Sequence, residues 1–344
     1  MNDRILVTGG AGYIGSHTII ELLTHWKGEV VSVDHFGNSD PKVFDRIERI
    51  TGQRVRNHAV DLCDAGAVAA LFAAERHVKG VIHFAAYKSV PESIAHPAKY
   101  YHNNIASLLN ILQASSAAGV QEFIFSSSCS VYGNIDSLPV HEGTALRHAE
   151  SPYAYTKQIG ERIVDDHVRT HVGMRAISLR YFNPAGAHSS GLNGEDPINP
   201  PSSLVPVITR TASGRIEVMH VHGTDYPTRD GSCIRDYVHV SDIADAHIAA
   251  LRRAASGSMV GTHEIINLGT GNGVSVLEAI AAFEAVSGRR LNYERGPRRD
   301  GDVVAVYSDT TRSKALLGWE ARRDLGEMMR TAWAWEQHLA NEQR

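Results

Sequence analysis

Cysteine is scarce: the 344-residue chain has three, Cys63, Cys129 and Cys233, all far apart. A sparse, odd set excludes a disulfide framework and a cysteine-based zinc site. A basic excess is also missing. Lys and Arg number 34 against 38 Asp and Glu, leaving a formal net charge of −4, so nothing draws the chain onto nucleic acid or acidic lipid. No run approaches the roughly 18 apolar residues of a membrane span, and no charged leader with a long apolar segment precedes the first apolar strand. Repeats and low-complexity tracts are absent too. The expectation is a cytoplasmic protein with neither nucleic acid nor a membrane among its partners. Histidine, at 19, is plentiful, but no metal-binding spacing appears. The tightest pair, His220 and His222, would share one face of a strand. They are read as structural or solvated, and no metal is expected.

Apolar residues at 43% and charged residues at 21% are ordinary for a globular chain, and this length buries a core without staples. Short apolar runs alternate with amphipathic stretches in the first half. Ile5-Leu6-Val7, Val30–Val33, Val55–Val60, Val81–Phe84 and Phe123-Ile124-Phe125 read as strands. Helices are expected up to about Trp26, over Ala65–Glu75 and over Asn104–Ala118, the last closed by Gly119. Continuous apolar strands alternating with helices indicate a parallel sheet covered on both faces. Residues 183–203 are rich in Gly, Pro, Asn and Ser and read as a long loop, a feature often functional. Short strands and helices over Asp242–Arg253, Val276–Val286 and Leu325–Ala340 follow. The expected fold is α/β: a Rossmann-type doubly wound parallel sheet over 1–182 and a smaller C-terminal α/β substrate-binding domain over 183–344, with the chain crossing between them more than once.

The first strand runs into Gly9-Gly10-Ala11-Gly12-Tyr13-Ile14-Gly15, spaced Gly-x-x-Gly-x-x-Gly at Gly9, Gly12 and Gly15. Such glycines allow a tight turn and close approach to a pyrophosphate. The next helix offers it unpaired N–H groups and partial positive charge. The second strand ends in Asp34, about 20 residues on, where a carboxylate holds a ribose diol. That carboxylate would repel a 2′-phosphate, and no arginine follows it immediately, so NAD is expected rather than NADP. Asp61, at the end of the third strand with Leu62 beside it, is placed to meet adenine, to cap the following helix, or both.

Ser151-Pro152-Tyr153-Ala154-Tyr155-Thr156-Lys157 begins a helix, with Ser151 as its cap and Pro152 in its first turn. Tyr153 and Lys157 are four apart and share a face. A phenol with ordinary pKa ~10 is a poor base at neutral pH. A neighbouring ammonium and the helix N-terminus are expected to favour the phenolate, making Tyr153 a general base. Strand five runs into Ser126-Ser127-Ser128-Cys129-Ser130. Ligands of open parallel sheets bind beyond the carboxyl ends of strands. Ser128 can therefore hydrogen-bond a reacting hydroxyl, or these hydroxyls simply satisfy turn backbone.

A glycine turn, a strand-five serine and Tyr-x-x-x-Lys, in that order, resemble the extended short-chain dehydrogenase/reductases. Within them the resemblance narrows to the UDP-glucose 4-epimerase family. It spans nearly the whole chain, through Val7–Thr18, Tyr100–Asn104, Phe123–Gly133, Ser151–Lys157, Arg180–Gly186, Gly194–Pro197, Gly223–Val240, Asn267–Gly269 and Arg298–Asp302. What it implies is reversible C4 epimerisation of UDP-glucose and UDP-galactose through a 4-keto intermediate. Tyr153 would act as base, Lys157 would lower its pKa, and Ser128 would bond O4. Tightly held NAD would take and return the hydride. NAD contacts are implied for Gly9, Gly12, Tyr13, Ile14, Gly15, Asp34, Asn38, Ser39, Asp61, Leu62, Phe84, Ala85, Lys88, Asn103, Tyr153, Lys157 and Phe182. Substrate contacts are implied for Lys88, Ser128, Tyr153, Asn183, Ser203, Leu204, His220, His222, Arg235, Arg299, Asp302 and Val306, with Asn183, Arg235, Arg299 and Asp302 on UDP. Paired arginines suit a diphosphate because guanidinium forks match phosphate oxygens. A homodimer is implied as well.

The pattern is broken in places. The substrate loop reads Pro201-Ser202-Ser203-Leu204 where the family has Pro-Asn-Asn-Leu, so Ser203 reaches UDP less well. His222 stands where an aromatic is usual beside uracil, and His35 where asparagine usually follows the ribose acid. Val306 occupies a hexose-pocket position that is large or small across the family. Its size would leave room for a 2-acetamido group, and so for UDP-GlcNAc and UDP-GalNAc, unless it merely fills a strand. Epimerases of UDP-glucuronate or UDP-pentoses remain alternatives. A nucleotide-sugar 4,6-dehydratase would need an acid–base pair where Ser128-Cys129-Ser130 stand, and a non-catalytic NAD-binding regulator would not need both Tyr153 and Lys157.

Overall fold

A computed structural model describes residues 3–342 except 136, 200, 202, 300 and 301. Ser202 of the expected substrate loop, and Asp300 and Gly301 within the Arg298–Asp302 run, therefore lie outside the described residues. The first half follows a strand–helix rhythm: β1 (Arg4–Thr8), α1 (Tyr13–His25), β2 (Glu29–Val33), α2 (Val43–Thr51), β3 (Arg56–His58), α3 (Ala65–Ala74) and β4 (Val78–His83). Two consecutive helices follow, α4 (Val90–Ala95) and α5 (Pro97–Ala117), then β5 (Glu122–Ser128), α6 (Pro152–Thr170) and β6 (Arg175–Tyr181). The second half adds β7 (Asn183–Ala185), α7 (Leu204–Ala212), β8 (Met219–His222), β9 (Ile234–His239), α8 (Val240–Ala255) and β10 (His263–Leu268). Then come β11 (Gly273–Ser275), α9 (Val276–Ser287), β12 (Tyr293–Gly296), β13 (Ala305–Val306), α10 (Thr311–Leu317) and α11 (Leu325–Glu342).

Seven strands form one parallel sheet in the order β10-β6-β5-β4-β1-β2-β3. The expected α/β doubly wound sheet is therefore present, with β10 as an added edge strand. Its strands are apolar on both sides because helices cover both sides. Ile5 and Val7 of β1 pack with Ile19, Leu22 and Ile47 on one face. Leu6 points the other way, to Val68, Leu71, Leu108, Ile111 and Val164. The pleat thus splits one apolar run between two cores. Among the described residues no helix is long and apolar enough to cross a membrane.

Several expected elements occur with small boundary shifts, and some were not expected. The helix foreseen from Asn104 starts at Pro97, since proline is tolerated in a first turn. Helices α2, α4, α7 and α10 were not individually expected. Each is short, nine residues or fewer, and held by packing rather than by a long periodic pattern. The sequence also put the Asp242–Arg253 helix with the smaller lobe. In the structure α8 lies against α1, and its Ile243, Ala246, Ile248 and Leu251 join the same core as Ile5 and Val7. Ala244, Ala246, Ala250 and Ala254 are all buried, and such small side chains let two helices approach closely. A separate core gathers Ala185, Ile208, Val221, Tyr237, Ile280, Phe283 and Met329. It belongs to β7, α7, β8, β9, α9 and α11, with β7, β11 and β13 pairing around β9.

Helix α6 is pinned to the sheet by a buried ion pair. Arg180 on β6 donates to both carboxylate oxygens of Glu161, at 2.8 and 2.6 Å, and Ser127 of β5 donates to the same carboxylate at 2.5 Å. The arginine fork also lies 4.9 Å from the Tyr132 ring centre. Gly160 lets the helix close in, since a Cβ there would lie 2.6 Å from Cζ of Phe125. Breaking one partner of such a pair leaves an uncompensated buried charge. Arg180→Met is therefore expected to cost roughly 3 to 5 kcal/mol. A fall in the urea midpoint at unchanged slope would show this, and a midpoint like that of the native chain would contradict it.

Candidate functional site

The sheet reverses its order of growth between β1 and β4, and a cleft opens there beyond the carboxyl ends of the strands, as doubly wound sheets require. Its floor is the glycine turn. Gly9 has φ of +69°, and a Cβ on it would lie 2.8 Å from the Ala85 nitrogen. A Cβ on Gly15 would lie 2.2 Å from the Gly9 carbonyl oxygen. Only backbone fits at these two places, so α1 begins directly at the crevice. Gly12, its cap residue, offers no side chain to its first N–H groups, and the first turn carries no acid. The helix start is thus free for an anion. The chain's own residues fit a dinucleotide: a cradle open to pyrophosphate at one end and a ribose-binding acid at the other.

That acid is Asp34. Its Oδ2 accepts from the Ala11 N–H at 3.0 Å and its Oδ1 from the Phe36 N–H at 2.8 Å. These bonds fix the carboxylate and leave it lone pairs for a diol. Asp61 does not cap α3. Asp64 does so, accepting from Gly66 and Ala67, while Asp61 accepts from the Cys63 N–H at 2.9 Å in a local turn. Asp61 therefore remains at the cleft wall beside Leu62.

Ser151 caps α6 by accepting from the Ala154 N–H, and Pro152 takes the first turn. This sets Tyr153 and Lys157 on one face, toward the end of β5. Lys157 donates to the Ser126 carbonyl at 2.6 Å, and its Nζ lies 5.9 Å from the Tyr153 ring centre. Ser128 caps a short turn over Cys129–Tyr132, accepting from the N–H and hydroxyl of Ser130, and its hydroxyl lies near enough to Tyr153 to favour the phenolate. Of the two roles open to it, Ser128 here serves the turn backbone.

Among the protein's own groups the phenol of Tyr153 is pushed up to about 12, by burial first, with Ser128 opposing. Lys157 is itself lowered to about 8 by burial, Glu161 opposing. Lys157 is buried and Tyr153 half-buried at the cleft wall, and desolvation disfavours each charged form. His83, beneath them, is driven down to about 3 by burial and then by the Lys157 charge. It remains neutral, paired with the Thr8 hydroxyl at 2.8 Å.

The cleft brings together Gly9, Gly12, Tyr13, Ile14, Gly15, Asp34, Asn38, Ser39, Asp61, Leu62, Phe84, Ala85, Lys88, Asn103, Tyr153 and Lys157. Phe182 is outside its lining. It is buried in the sheet core, its N–H on the Leu268 carbonyl. Apart from Lys88 and Tyr153, the expected substrate residues are not in that lining. Arg235 on β9 donates to the carbonyls of Ile234 and Val303, and both Arg235 and Arg299 approach Asp302 Oδ1, at 3.5 and 2.9 Å. Val306 pairs with Arg235 across β13 and β9 and is buried. His220 and His222 do share the exposed face of β8, ring centres 6.5 Å apart, and no metal-binding cluster occurs among the described residues. Leu204 opens α7, with Ser203 before it as the cap residue. Asn183 has a buried Oδ1 with no hydrogen-bond partner, an acceptor in want of a donor.

Sequence reasoning missed Glu195, Tyr181, Asn193 and Arg46, which also line the cleft. Tyr181 was findable, because it ends β6 at the carboxyl edge where ligands bind. The other three come from a long loop and a helix flank, and only the tertiary fold brings them in.

Residues 5–269 match the NAD dependent epimerase/dehydratase family. The chain is 44% identical over 338 residues to the UDP-glucose 4-epimerase of Neisseria meningitidis serogroup A, covering 98% of both chains. The UDP-glucose 4-epimerase of Stenotrophomonas maltophila, solved with NAD and formylated UDP-arabinopyranose, superposes with a TM-score of 0.94 at 43% identity, covering 99% of this chain and 100% of that one. The enzyme of Bifidobacterium longum, solved with NAD+ and UDP, superposes with a TM-score of 0.93 at 40% identity, covering 98% and 99%.

Burial of Tyr153 has a spectroscopic consequence. In protein stripped of nucleotide, an ultraviolet difference titration of the native chain against Tyr153→Phe is expected to show no phenolate below about pH 10, the ordinary tyrosine value. A phenolate difference appearing near neutrality would show that Lys157 outweighs burial after all.

Proposed function

The chain belongs to the NAD dependent epimerase/dehydratase family, and we propose that it interconverts UDP-glucose and UDP-galactose by inverting C4 through a 4-keto intermediate. The observation that carries this reading is the placing of Tyr153 near Ser128, with the buried Lys157 behind them, at the end of the sheet that holds the dinucleotide cradle. When bound, NAD supplies a reversible hydride acceptor and a positive charge near the phenol. Tyr153 takes the C4 hydroxyl proton and gives it back on the return. Ser128 orients O4. Lys157 keeps an ammonium close to the ring, and its charge acts strongly because the amine is buried. Arg235 and Arg299 grip the diphosphate with guanidinium forks, steadied by Asp302, and Asn183 accepts from the UDP moiety. Ser203, Leu204, His220 and His222 border the nucleotide. Anchoring through UDP leaves the sugar free to turn between hydride loss and return. Phe182 acts from behind the cleft wall. The lobe boundary is taken at 182/183 with chain crossovers, and the enzyme works in the cytoplasm as a homodimer. Outward faces of α5 and α6 leave Leu109 41% and Tyr155 47% exposed, which supports pairing of two copies there.

The test is incubation of the purified protein with UDP-galactose and no added NAD. UDP-glucose is the expected product; a 6-deoxy-4-keto product, or none, would overturn the reading. Tyr153→Phe is expected to lower kcat by about 10² to 10⁴ while NAD stays bound, and near-normal turnover would remove Tyr153 as base. Val306 is small and adjoins Arg235 in the sheet, which supports room for a 2-acetamido group. UDP-GlcNAc is therefore expected to react, and good turnover of UDP-glucose with none of UDP-GlcNAc would reduce Val306 to strand filler. The pentose nucleotide in the Stenotrophomonas structure favours running a UDP-pentose beside them.

A further inference from the structure

We propose that Glu195 is a cofactor-retaining residue, which closes the cleft over the dinucleotide by bridging its two banks to Lys88. The inference rests on the NAD-dependent reading above and extends it to a residue with no role so far.

Two observations carry it. First, the backbone around Glu195 is anchored rather than loose. Asn193 donates to the Ser16 hydroxyl on α1 at 3.0 Å. Gly194 lies flat on Trp335 of α11, where a Cβ would sit 2.4 Å from Cδ1 of the ring. The Trp335 indole donates to the Glu195 carbonyl at 3.1 Å. Arg46 of α2 covers that indole at 4.8 Å and pairs with Glu342. The segment is thereby fixed to α1, α2 and α11 before its side chain does anything.

Second, the carboxylate crosses the cleft. Glu195 Oε1 meets Lys88 Nζ at 2.7 Å and accepts from the Ser203 hydroxyl at 3.3 Å. Lys88 lies on the segment after β4, across the crevice from α1, and both Lys88 and Glu195 line it. The acid is the inner partner, with its side chain 9% exposed, and the amine the outer one at 52%. An acid this far inside a cleft suited to a pyrophosphate repels its ligand unless a cation neutralises it, and Lys88 does so. A dinucleotide lying on the glycine turn can leave only after this bridge opens. The bridge therefore acts on the dissociation rate, where most affinity differences between related complexes reside. Because Lys88 is half exposed, salt weakens the bridge.

The experiment exchanges bound NAD for labelled NAD in the purified protein and follows the rate at low and high KCl. Glu195→Gln keeps the shape and removes the charge. Lys314→Ala, which breaks the exposed pair with Glu320 far from the cleft, serves as control. Release from Glu195→Gln is expected to be roughly two- to fivefold faster than from the native protein, as for an ion pair with one exposed partner. Its rate should also respond less to salt than the native rate, a change that a merely structural residue would not produce. Equal release from both proteins, or acceleration with unchanged salt response, would overturn the role of Glu195 and leave the epimerase reading standing. A native protein that neither carries NAD nor converts UDP-galactose would overturn both.

Discussion

The approach of α1 to the end of β1, backbone against backbone at Gly9 and Gly15, is the contact on which the other features of the site depend. Any side chain at Gly15 would occupy the space of the Gly9 carbonyl. With none there, the helix starts at the crevice and its uncapped N–H groups face the place where a phosphate would lie. The same closeness sets Asp34 within reach of the turn, since its carboxylate is held by the Ala11 N–H. Cradle and ribose acid are thus one rigid unit, and the reacting groups are placed relative to it by the sheet.

The chemistry sits in a second layer of constraint. Lys157 is buried, and Tyr153 half-buried, by α6 lying close on β5 and β6, and the Glu161–Arg180 pair, with Gly160 against Phe125, keeps it there. That burial raises the phenol and lowers the amine. The site is therefore poised so that charge placed beside the phenol is strongly felt, because there is little water to screen it. Local spacing puts the two residues on one face. Burial, which spacing along the chain does not show, weighs most on their proton affinities.

Much of the fold was legible because its signals are local. Ile5-Leu6-Val7, the glycine turn and Asp34 follow one another along the chain, and a capped helix announces itself at Ser151-Pro152. Periodicity is carried by neighbours, so it survives without tertiary knowledge. The short helices α2, α4, α7 and α10 escaped because their few turns carry too little pattern. That α8 packs on α1 was not legible, because its alanine-rich surface says that it packs closely, not against what. Whether Asp61 caps a helix stayed open because an acid suits a helix start, and only the backbone path shows that Asp64 is the cap.

The sequence by itself determined the chemistry on offer: a cradle for an anionic dinucleotide, a ribose-binding acid, a tyrosine and a lysine one helical turn apart, and the family these belong to. Each is a property of residues close in the chain, where bond geometry and helical period decide the outcome. Only the tertiary structure decided which distant groups meet. Arg235 and Arg299 converge on Asp302, Phe182 is withdrawn into the core, and Glu195 crosses the cleft to Lys88, 107 positions away in the chain. Such pairings depend on how whole layers pack, and no local pattern encodes the distance between two loops brought together by a sheet.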